Sequence, residues 1–283
     1  MENLGYYNGQ WGLLEELQVP FLDRVHFFGD GVYDATITSN GVILYEAEHV
    51  RRFFNSCKLM EIDPGVSSEE LTDILRDMVS KVDASDTFLY WQVTRGTAPR
   101  NHAFPHVSAN LWIMIFPRPL EDLSWDTTAV TVEDTRFFHC NAKTLNLLPN
   151  VLAAQRAEEA QSEEAIFVRD GFVTECAHSN VHILQGGHLV THPADNLILP
   201  GIARAHLIES CKRLGIPVDE RPFTRDELMT ADEVIVSSSS TFARGVNMID
   251  GCTVGGKDRD LLRRIQADLN DEFLAYREEH RVQ

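Results

Sequence analysis

One lysine in an apolar stretch is the residue of this chain best suited to covalent chemistry. Between Phe137 and Gln155 the only formally charged residue is Lys143, whereas the other four lysines of the chain lie close to acids or arginines. Burial disfavours the charged ammonium and favours a neutral amine, which can condense with a carbonyl to form a Schiff base. An equally simple interpretation is that the Lys143 side chain extends from a loop into water. The local pattern leaves both interpretations open.

If a cofactor supplies the carbonyl, pyridoxal 5'-phosphate is the obvious candidate, and it imposes further requirements. Its phosphate needs backbone N–H groups at a helix start, hydroxyl groups and usually an arginine. The helix entry at residues 199–203 and the run of hydroxyl residues at 237–241 meet these needs. Both patterns also occur in ordinary helix starts and solvated loops, so neither alone identifies a phosphate site.

The pyridine nitrogen of such a cofactor needs an anion that keeps it protonated. Glu175 ends a strand-like pattern in V-T-E-C-A-H-S-N and is flanked by uncharged residues. A carboxylate in this position is either a functional group or an exposed residue at the end of a strand.

Other catalytic chemistries have no matching motif in this sequence. The chain has no G-x-S-x-G nucleophile elbow, no G-x-x-x-x-G-K-[ST] phosphate loop, no G-x-G-x-x-G fingerprint and no H-E-x-x-H motif. His178 and His182 have the spacing of facing residues on a helix, but they lie among predicted strands. We therefore expect no metal site.

Composition and charge narrow the choice of partners. The chain has 283 residues and a formal net charge of -18, which argues against binding to nucleic acids or anionic membranes. It has no apolar run of about eighteen residues that could span a membrane, and its N-terminus lacks a signal-peptide pattern. Five scattered cysteines without C-x-x-C spacing indicate reduced thiols. These features predict a cytoplasmic metabolic protein.

Helix and strand patterns alternate irregularly, which favours a mixed α+β or α/β fold over a barrel or a doubly wound sheet. Ser67 and Glu70 form a capping-box pattern that predicts a helix through Val82. Glycine-containing pairs predict tight turns at 8–9, 40–41, 170–171 and 186–187. Further strands are predicted at 88–94, 111–116, 129–133, 165–169, 172–175, 181–184 and 233–236, and further helices at 46–60, from near Pro149, before Gly215 and at 260–276.

A break in these patterns predicts two domains. Two prolines and a charged turn interrupt the chain between Pro117 and Trp125. We therefore predict a small N-terminal α/β domain at 1–118, a linker at 119–125 and a large C-terminal α/β domain at 126–283. The length of the chain, which exceeds that of a usual single domain, agrees with this division.

Six stretches resemble the fold-type IV pyridoxal-phosphate enzymes, the group that contains branched-chain aminotransferases, D-amino-acid aminotransferases and aminodeoxychorismate lyases. They are F-G-D-G-V-Y-D, E-H-V-R-R-F-F, K-T-L-N-L-L-P-N, V-T-E-C-A-H-S-N-V, L-I-L-P-G-I-A-R and A-D-E-V-I-V-S-S-S. One such string would be weak, but six in the right order cover nearly the whole chain. The resemblance implies a two-domain α/β fold with its active site at the domain interface and pyridoxal 5'-phosphate as cofactor.

The resemblance also assigns roles to single residues. Lys143 matches the lysine that holds the cofactor as a Schiff base and moves the proton, and Glu175 matches the carboxylate paired with the pyridine nitrogen. Arg136 matches an arginine in the hydrogen-bond network around the ring. The phosphate is expected to bind Arg52, the backbone amides of Ile202 and Ala203, and the hydroxyl groups of Ser239 and Ser240, although the choice among the serines of 237–240 stays open.

On the substrate side the resemblance points to the D-amino-acid aminotransferases. These enzymes hold the substrate α-carboxylate with a tyrosine after G-D-G and an R-x-H pair from a loop, which Tyr33, Arg100 and His102 match. An arginine can bind a carboxylate with two parallel hydrogen bonds, and Tyr and His add directional ones. In that branch the loop reaches the active site of the partner subunit, which implies a homodimer.

The implied reaction is transamination between a D-amino acid, such as D-alanine or D-glutamate, and a 2-oxo acid. The alternatives within the group are an L-branched-chain aminotransferase and an aminodeoxychorismate lyase. A third alternative, from a different functional class, is a non-catalytic binding protein that retains the fold.

Overall fold

The computed structural model describes residues 2–120 and 125–281, and the chain divides into two units. Unit 1 comprises Met1–Leu120, Ala142–Asn146 and Ala275–Gln283, and unit 2 comprises Glu121–Asn141 and Leu147–Leu274. Residues 121–124 of the predicted linker lie outside the described residues. The boundary at 119–125 therefore stays a prediction.

Unit 1 is built on a six-stranded antiparallel sheet. Its elements are β1 (Leu4–Tyr7), β2 (Gln10–Gly12), α1 (Val25–Phe28), β3 (Gly31–Ser39), β4 (Val42–Ile43), α2 (Glu46–Leu59), α3 (Ser68–Lys81), β5 (Asp86–Thr94) and β6 (Asn110–Pro117). The strand order is β2-β1-β6-β5-β3-β4. β3 pairs with β5 along its whole length, from Gly31 opposite Thr94 to Ser39 opposite Asp86.

The core of unit 1 lies between this sheet and helices α2 and α3. Phe53 of α2 and Leu71 and Leu75 of α3 are fully buried and share one apolar cluster with Leu89 and Trp91 of β5. The helical residues recur every three or four positions and the strand residues every second position, so each element turns one apolar face to the core. Burial of each such side chain stabilises the fold by about 1.5–3 kcal/mol.

The start of α2 is capped from the far end of the chain. Its N-cap residue, Tyr45, has a left-handed backbone and provides no side-chain cap. Instead, the N–H of Glu46 donates to the hydroxyl oxygen of Tyr276 at 3.3 Å, and the Tyr45 and Tyr276 rings lie 4.8 Å apart. These contacts tie residues 275–283 to unit 1.

Unit 2 is built on a ten-stranded mixed sheet. Its elements are β7 (Thr127–Glu133), α4 (Leu148–Glu159), β8 (Glu164–Arg169), β9 (Phe172–Cys176), β10 (Asn180–Gln185), β11 (His188–Thr191), α5 (Ile202–Arg213), β12 (Val218–Glu220), β13 (Phe223–Thr224), α6 (Arg225–Thr230), β14 (Glu233–Ser237), β15 (Arg244–Ile249), β16 (Cys252–Thr253) and α7 (Arg259–Glu279). The strand order is β12-β11-β10-β14-β15-β7-β8-β9-β13, and β16 pairs with β15.

The central strands of unit 2 are buried on both faces. In β10, Val181 and Ile183 belong to one apolar cluster, whereas Leu184 packs with residues of α5 and α7 in another. Successive side chains of a strand point to opposite faces, so Asn180 and His182 lie on the same face as Leu184. This face carries the polar groups described below.

The predicted fold class and tight turns are confirmed. The structure is a mixed α/β fold, and none of its helices within the described residues is long and apolar enough to cross a membrane. Both residues of every predicted turn have positive φ, the geometry that Asn, Asp and Gly tolerate best, at Asn8-Gly9, Asn40-Gly41, Asp170-Gly171 and Gly186-Gly187. The predicted capping box is present as well, because Ser67 accepts from Glu70 N–H while Glu70 reaches back to Ser67 N–H.

Replacing Ser67 with alanine is expected to lower the free energy of unfolding by about 1 kcal/mol, because the first turn of α3 loses its side-chain cap. Urea unfolding followed by tryptophan fluorescence measures this change. The matched control is Ser68→Ala in the next residue, whose exposed hydroxyl contacts only the Glu69 side chain. Equal losses in both variants would contradict the capping role.

Candidate active site

Within unit 1, Lys143 lies on a short extended segment beside the first residues of β3. The N–H of Tyr33 donates to the Lys143 carbonyl at 2.9 Å, and the N–H of Leu145 donates to the Gly31 carbonyl at 3.0 Å. The N–H of Lys143 donates to the Ser56 hydroxyl of α2 at 3.0 Å. Backbone hydrogen bonds on both sides therefore fix the position from which the lysine side chain extends.

The Lys143 side chain is half-buried against an aromatic pair. Its Nζ lies 4.4 Å from the centroid of the Tyr33 ring, which stacks on Tyr90 at 5.2 Å. Among the described residues, no carboxylate lies within ion-pair distance of this amine. A ring face attracts a cation but takes no proton, so the amine remains available for chemistry.

Arg52 and His49 of α2 converge on a buried carboxylate in β3. Arg52 donates from Nε and Nη2 to Asp34 at 2.8 Å each, and His49 Nδ1 lies 2.8 Å from the same carboxylate. Burial alone would raise the pKa of Asp34, but the charge and hydrogen bonds of Arg52 hold it well below its usual range. Burial is also the main cause of the lowered pKa of His49. Asp34 thus fixes the plane of the Arg52 guanidinium.

Arg100 and His102 lie together on the exposed loop after β5. The Arg100 guanidinium carbon is 5.2 Å from the centroid of the Phe28 ring, and the His102 ring is 5.0 Å from the same ring. Arg24 fastens this loop by donating to the carbonyl of Asn101. Within the described residues, Arg100 has no carboxylate partner, and the contacts of Arg100 and His102 do not include Tyr33 or Lys143.

Within unit 2, Glu175 at the end of β9 is buried and held by three donors. Arg136 Nη1 donates to Oε1, while Asn180 Nδ2 and the N–H of Leu199 donate to Oε2 at 3.1 Å and 3.0 Å. Hydrogen bonds to the ionised form favour a carboxylate over the neutral acid. The interpretation of Glu175 as an exposed residue at a strand end is therefore wrong, because the side chain is 6% exposed.

Arg136 links Glu175 to a second buried carboxylate, Asp134. It donates from Nε and Nη2 to Asp134 at 2.9 Å each, and its guanidinium carbon lies 4.3 Å from the Phe167 ring centroid. Burial alone would raise the pKa of Asp134, but hydrogen bonds and charge from Arg136 and Arg169 lower it to about 2. The same pairing raises the pKa of Arg136, against the opposing effect of burial. Arg136 is thus a permanent cation between two anions.

The start of α5 in unit 2 has backbone N–H groups that can bind an anion. The N-cap residue Gly201 provides no side-chain acceptor, so the first amides of the helix, including those of Ile202 and Ala203, keep their donor capacity. A Cβ atom at position 201 would collide with Oδ1 of Asn180. Asn180 also donates to the Leu199 carbonyl at 3.0 Å. Glycine is therefore required where the chain enters α5.

The hydroxyl residues after β14 form a half-buried turn. The Ser238 hydroxyl lies 2.8 Å from that of Thr241 and 3.3 Å from that of Ser240, so the turn is held by its own side chains. Ser239 and Ser240 lie at the tip of this turn. In the sheet register, Ser237 is paired with Asn180, which places the end of β14 next to the residue that contacts Gly201.

The structure shows how far the apolar neighbours of Lys143 in the sequence cover it, a question that the sequence left open. The apolar residues that surround Lys143 in sequence are largely exposed, with 40% of Phe137, 59% of Phe138, 70% of Leu148 and 60% of Val151 accessible to solvent. They do not bury the lysine, whose close contact is Tyr33. An apolar run in a sequence indicates that its side chains pack against other groups, but it does not identify those groups.

Comparison with known proteins identifies the family. The model of the family described as amino-transferase class IV matches residues 31–249. The chain belongs to this family. Because Lys143, Arg136, Glu175 and the start of α5 all lie within the matched range, the predicted membership among fold-type IV enzymes is confirmed.

Curated relatives and solved structures agree with this class IV membership. The chain is 37% identical to a D-alanine aminotransferase of Bacillus licheniformis, over 95% of this chain and 96% of that protein, and 40% identical to one of Staphylococcus haemolyticus, over 94% and 96%. The fold matches Escherichia coli branched-chain aminotransferase with a TM-score of 0.86, at 24% identity over 96% of this chain and 95% of that one. It also matches the T.th. branched-chain aminotransferase, solved with pyridoxamine 5'-phosphate, with a TM-score of 0.89, at 23% identity over 97% and 96%.

Several residues that contact the predicted site residues were not themselves predicted from the sequence. Asp34 lies in the inspected stretch F-G-D-G-V-Y-D, and Asn180 lies in V-T-E-C-A-H-S-N-V. Strand alternation places Asp34 on the same face as the buried Val32, where an acid requires a buried partner. That signal was available for Asp34. Strand alternation gives no prediction of burial for Asp134, because this residue follows the end of β7.

Replacing Asp134 with asparagine is expected to lower the free energy of unfolding at pH 7 by about 3 kcal/mol, since it removes one anion from a buried guanidinium. The pKa of Asp134 is lowered on folding, so its stabilisation is present above about pH 4 and is lost as the pH falls toward 2. The difference between wild type and variant should therefore shrink by about 2 kcal/mol over that range.

Chemical unfolding at a series of pH values measures this difference. Asp170→Asn is the matched control, because Asp170 is an exposed turn residue with positive φ, which asparagine also adopts. If the difference in the free energy of unfolding between wild type and D134N is the same at pH 7 and at pH 2, Asp134 does not have the lowered pKa that its arginine partners would impose.

Proposed function

We propose that this protein transfers the amino group of a D-amino acid, such as D-alanine or D-glutamate, to a 2-oxo acid. The observation that carries the proposal is the Lys143 amine, which is fixed through its backbone, lies on Tyr33 and has no carboxylate partner among the described residues. The preference for the D-series is supported by the curated D-alanine aminotransferases, to which the chain is 37–40% identical over most of its length.

The cofactor is pyridoxal 5'-phosphate, and the residues of the chain fit it. Lys143 would hold it covalently through its amine, and Glu175 would face the ring nitrogen. The phosphate would be bound by the amides of Ile202 and Ala203 and by further groups, namely Arg52 and the hydroxyls of Ser239 and Ser240. The lack of a side-chain cap at Gly201 leaves the N–H groups of the first turn of α5 for such an anion. When bound, the cofactor draws electrons away from the substrate α-carbon.

Lys143 would act as the base and acid of the reaction. Once the substrate amine has replaced it in the covalent link, the free Nζ would take the proton from the substrate α-carbon as a base and would then donate it as an acid. The Tyr33 ring face favours the ammonium form of the amine once the proton has been taken. The backbone hydrogen bonds of residues 143 and 145 hold the amine in place while the proton moves.

Glu175 would supply a fixed negative charge, and Arg136 and Asp134 would keep that charge in place. Three donors hold both oxygens of Glu175, so its carboxylate is pre-organised rather than free to rotate. Asp134 holds Arg136 with two hydrogen bonds and thereby keeps the guanidinium aimed at Glu175. We assign Arg136 a positioning role around the cofactor ring.

We propose that Arg100, His102 and Tyr33 bind the substrate carboxylate. The Arg100 guanidinium rests on Phe28 and has no carboxylate partner among the described residues, so its planar fork remains available for two parallel hydrogen bonds. His102 shares the same ring contact and so lies beside it. A clamp that holds the carboxylate on one side of the substrate determines whether the single α-hydrogen of the D- or of the L-enantiomer faces the base.

We also propose a homodimer that works in the cytoplasm. Exposed apolar side chains such as Phe138, Leu148 and Val151 support a second subunit that covers them. All five cysteines are free thiols, which supports a reducing compartment. Size-exclusion chromatography with light scattering measures the mass of the assembly.

Two related reactions can be separated from this proposal by substrate tests. The likeness to branched-chain aminotransferases is one of fold, whereas the curated relatives with higher identity are D-alanine aminotransferases. Turnover with D- and L-alanine, D- and L-glutamate and L-leucine distinguishes the D-series from the branched-chain L-series. Release of pyruvate without an amino acceptor would identify a lyase.

Lys143→Ala is expected to remove the visible absorption of the covalently held cofactor and nearly all turnover, with a rate loss of at least about a thousandfold. Absorption spectra and initial rates with D-alanine and 2-oxoglutarate measure both effects. Lys58→Ala on the exposed face of α2 is the matched control and should change neither. An unchanged spectrum in K143A would overturn the assignment of the lysine.

Arg100→Lys is expected to raise the KM for D-alanine about tenfold or more, because an ammonium cannot form the two parallel hydrogen bonds of a guanidinium. Steady-state kinetics with D-alanine and with D-glutamate test this expectation. Arg156→Lys on the exposed face of α4 serves as the control. If R100K keeps the wild-type KM for both donors, another residue must bind the carboxylate.

A further inference from the structure

A buried histidine lies beneath the start of α5 and has no role in the mechanism above. His182 of β10 is fully buried, with its Nδ1 2.8 Å from the Thr191 hydroxyl oxygen and its Nε2 2.8 Å from the Ser237 hydroxyl oxygen. Burial, followed by the positive charge of Arg204, lowers the pKa of this histidine to about 3. The His182 ring is therefore neutral near pH 7 and carries a single N–H.

The Thr191 and Ser237 hydroxyl groups each have one proton to donate, and the neutral His182 ring can accept only one of them. Arg204 Nε donates to the Thr191 hydroxyl oxygen at 3.2 Å, and a guanidinium cannot accept. Among the described residues, the only remaining partner for the Thr191 hydroxyl proton is His182 Nδ1. With the proton on Nε2, Nδ1 accepts from Thr191 and Nε2 donates to Ser237. With the proton on Nδ1, Ser237 would donate to Nε2 and the Thr191 hydroxyl proton would have no acceptor among the described residues.

In the tautomer with the proton on Nε2, the Ser237 hydroxyl proton is left for another acceptor, so an anion close to this hydroxyl favours that tautomer. The hydroxyl oxygen accepts from His182, and no other partner of this hydroxyl is found among the described residues, although the side chain is 2% exposed. Ser237 is paired with Asn180 in the sheet, and Asn180 contacts Gly201 at the start of α5. Ser237 is thus the strand neighbour of the residue that contacts the entry to α5.

We propose that His182 is a positioning residue that turns the Ser237 hydroxyl into a donor for the phosphate at the start of α5. The chain of donors runs from Arg204 through Thr191 and His182 to Ser237, and each member is at least nine-tenths buried. This inference rests on the proposed function, because it takes the anion at this helix start to be the cofactor phosphate. It also adds Ser237 to the hydroxyl groups that bind the phosphate.

The test compares a ligand that has the phosphate with one that lacks it. In the apoenzyme, His182→Phe should raise the dissociation constant of pyridoxal 5'-phosphate about tenfold, the effect of one lost hydrogen bond to a charged group. The dissociation constant of pyridoxal should stay within about twofold of wild type. Equilibrium dialysis of both ligands measures these constants without reference to turnover.

Two further variants connect the effect to Ser237 and separate it from general damage. Ser237→Ala should weaken the binding of pyridoxal 5'-phosphate but not that of pyridoxal. The double variant with His182→Phe should bind pyridoxal 5'-phosphate little more weakly than Ser237→Ala, because the histidine acts through that hydroxyl. His206→Phe is the control, since His206 lies on α5 but pairs with Glu272 of α7. It should leave both dissociation constants unchanged.

Each outcome decides the question. Equal weakening of pyridoxal and pyridoxal 5'-phosphate in H182F, or wild-type affinity for both, would overturn the positioning role. If H182F does not fold, Thr191→Val removes the hydroxyl that holds Nδ1, and a selective loss of affinity for pyridoxal 5'-phosphate is again expected. A wild-type apoenzyme that binds neither ligand would instead overturn the proposed function itself.

Discussion

The arrangement of unit 2 depends on a buried guanidinium held between two carboxylates. Arg136 is bound by Asp134 on one side and by Glu175 on the other, and Phe167 closes one face of its plane. A cation away from water is tolerated only when its donors are matched, so each partner must stay in register with the others. The end of β7, the end of β9 and the loop before α5 are thereby fixed in relation to one another. The same constraint that stabilises the fold also fixes the direction of the Glu175 carboxylate, which we propose faces the cofactor ring.

Unit 1 also contains a buried pair of an arginine and a carboxylate. There a single carboxylate, Asp34, is shared by Arg52 and His49, and the segment 142–146 is held beside the same strand by backbone hydrogen bonds. In both units a buried carboxylate orients an arginine, Asp34 in unit 1 and Asp134 in unit 2, so the direction of the guanidinium is fixed by its partner. Most of the groups assigned to the cofactor are therefore rigid before any ligand arrives, which reduces the entropy lost on binding.

Local rules predicted much of the fold, and they failed where partners are distant in sequence. The hairpin turns and the caps of α3 were predictable because they depend on a few adjacent residues, as with Asn8-Gly9 and Ser67. The short strands β11, β12 and β13 were not predicted, since strands of two to four residues have too few positions to show an alternating pattern. Lys143 and Glu175, which we propose as site residues, could be selected from sequence motifs. Asn180 and Asp134 could not, because their function lies in contacts that only the folded chain creates.

The cap on α2 has a consequence for the timing of synthesis. The helix that carries Arg52 and His49 begins at Glu46, yet the group that accepts its first N–H is the hydroxyl of Tyr276, close to the end of the chain. The N-terminal sheet can pair as soon as it is made, but this helix start is completed only after Tyr276 has been translated. A growing polypeptide therefore lacks part of the frame around Asp34 until that residue is available. The start of α2 is thus completed 230 residues after Glu46 has been made.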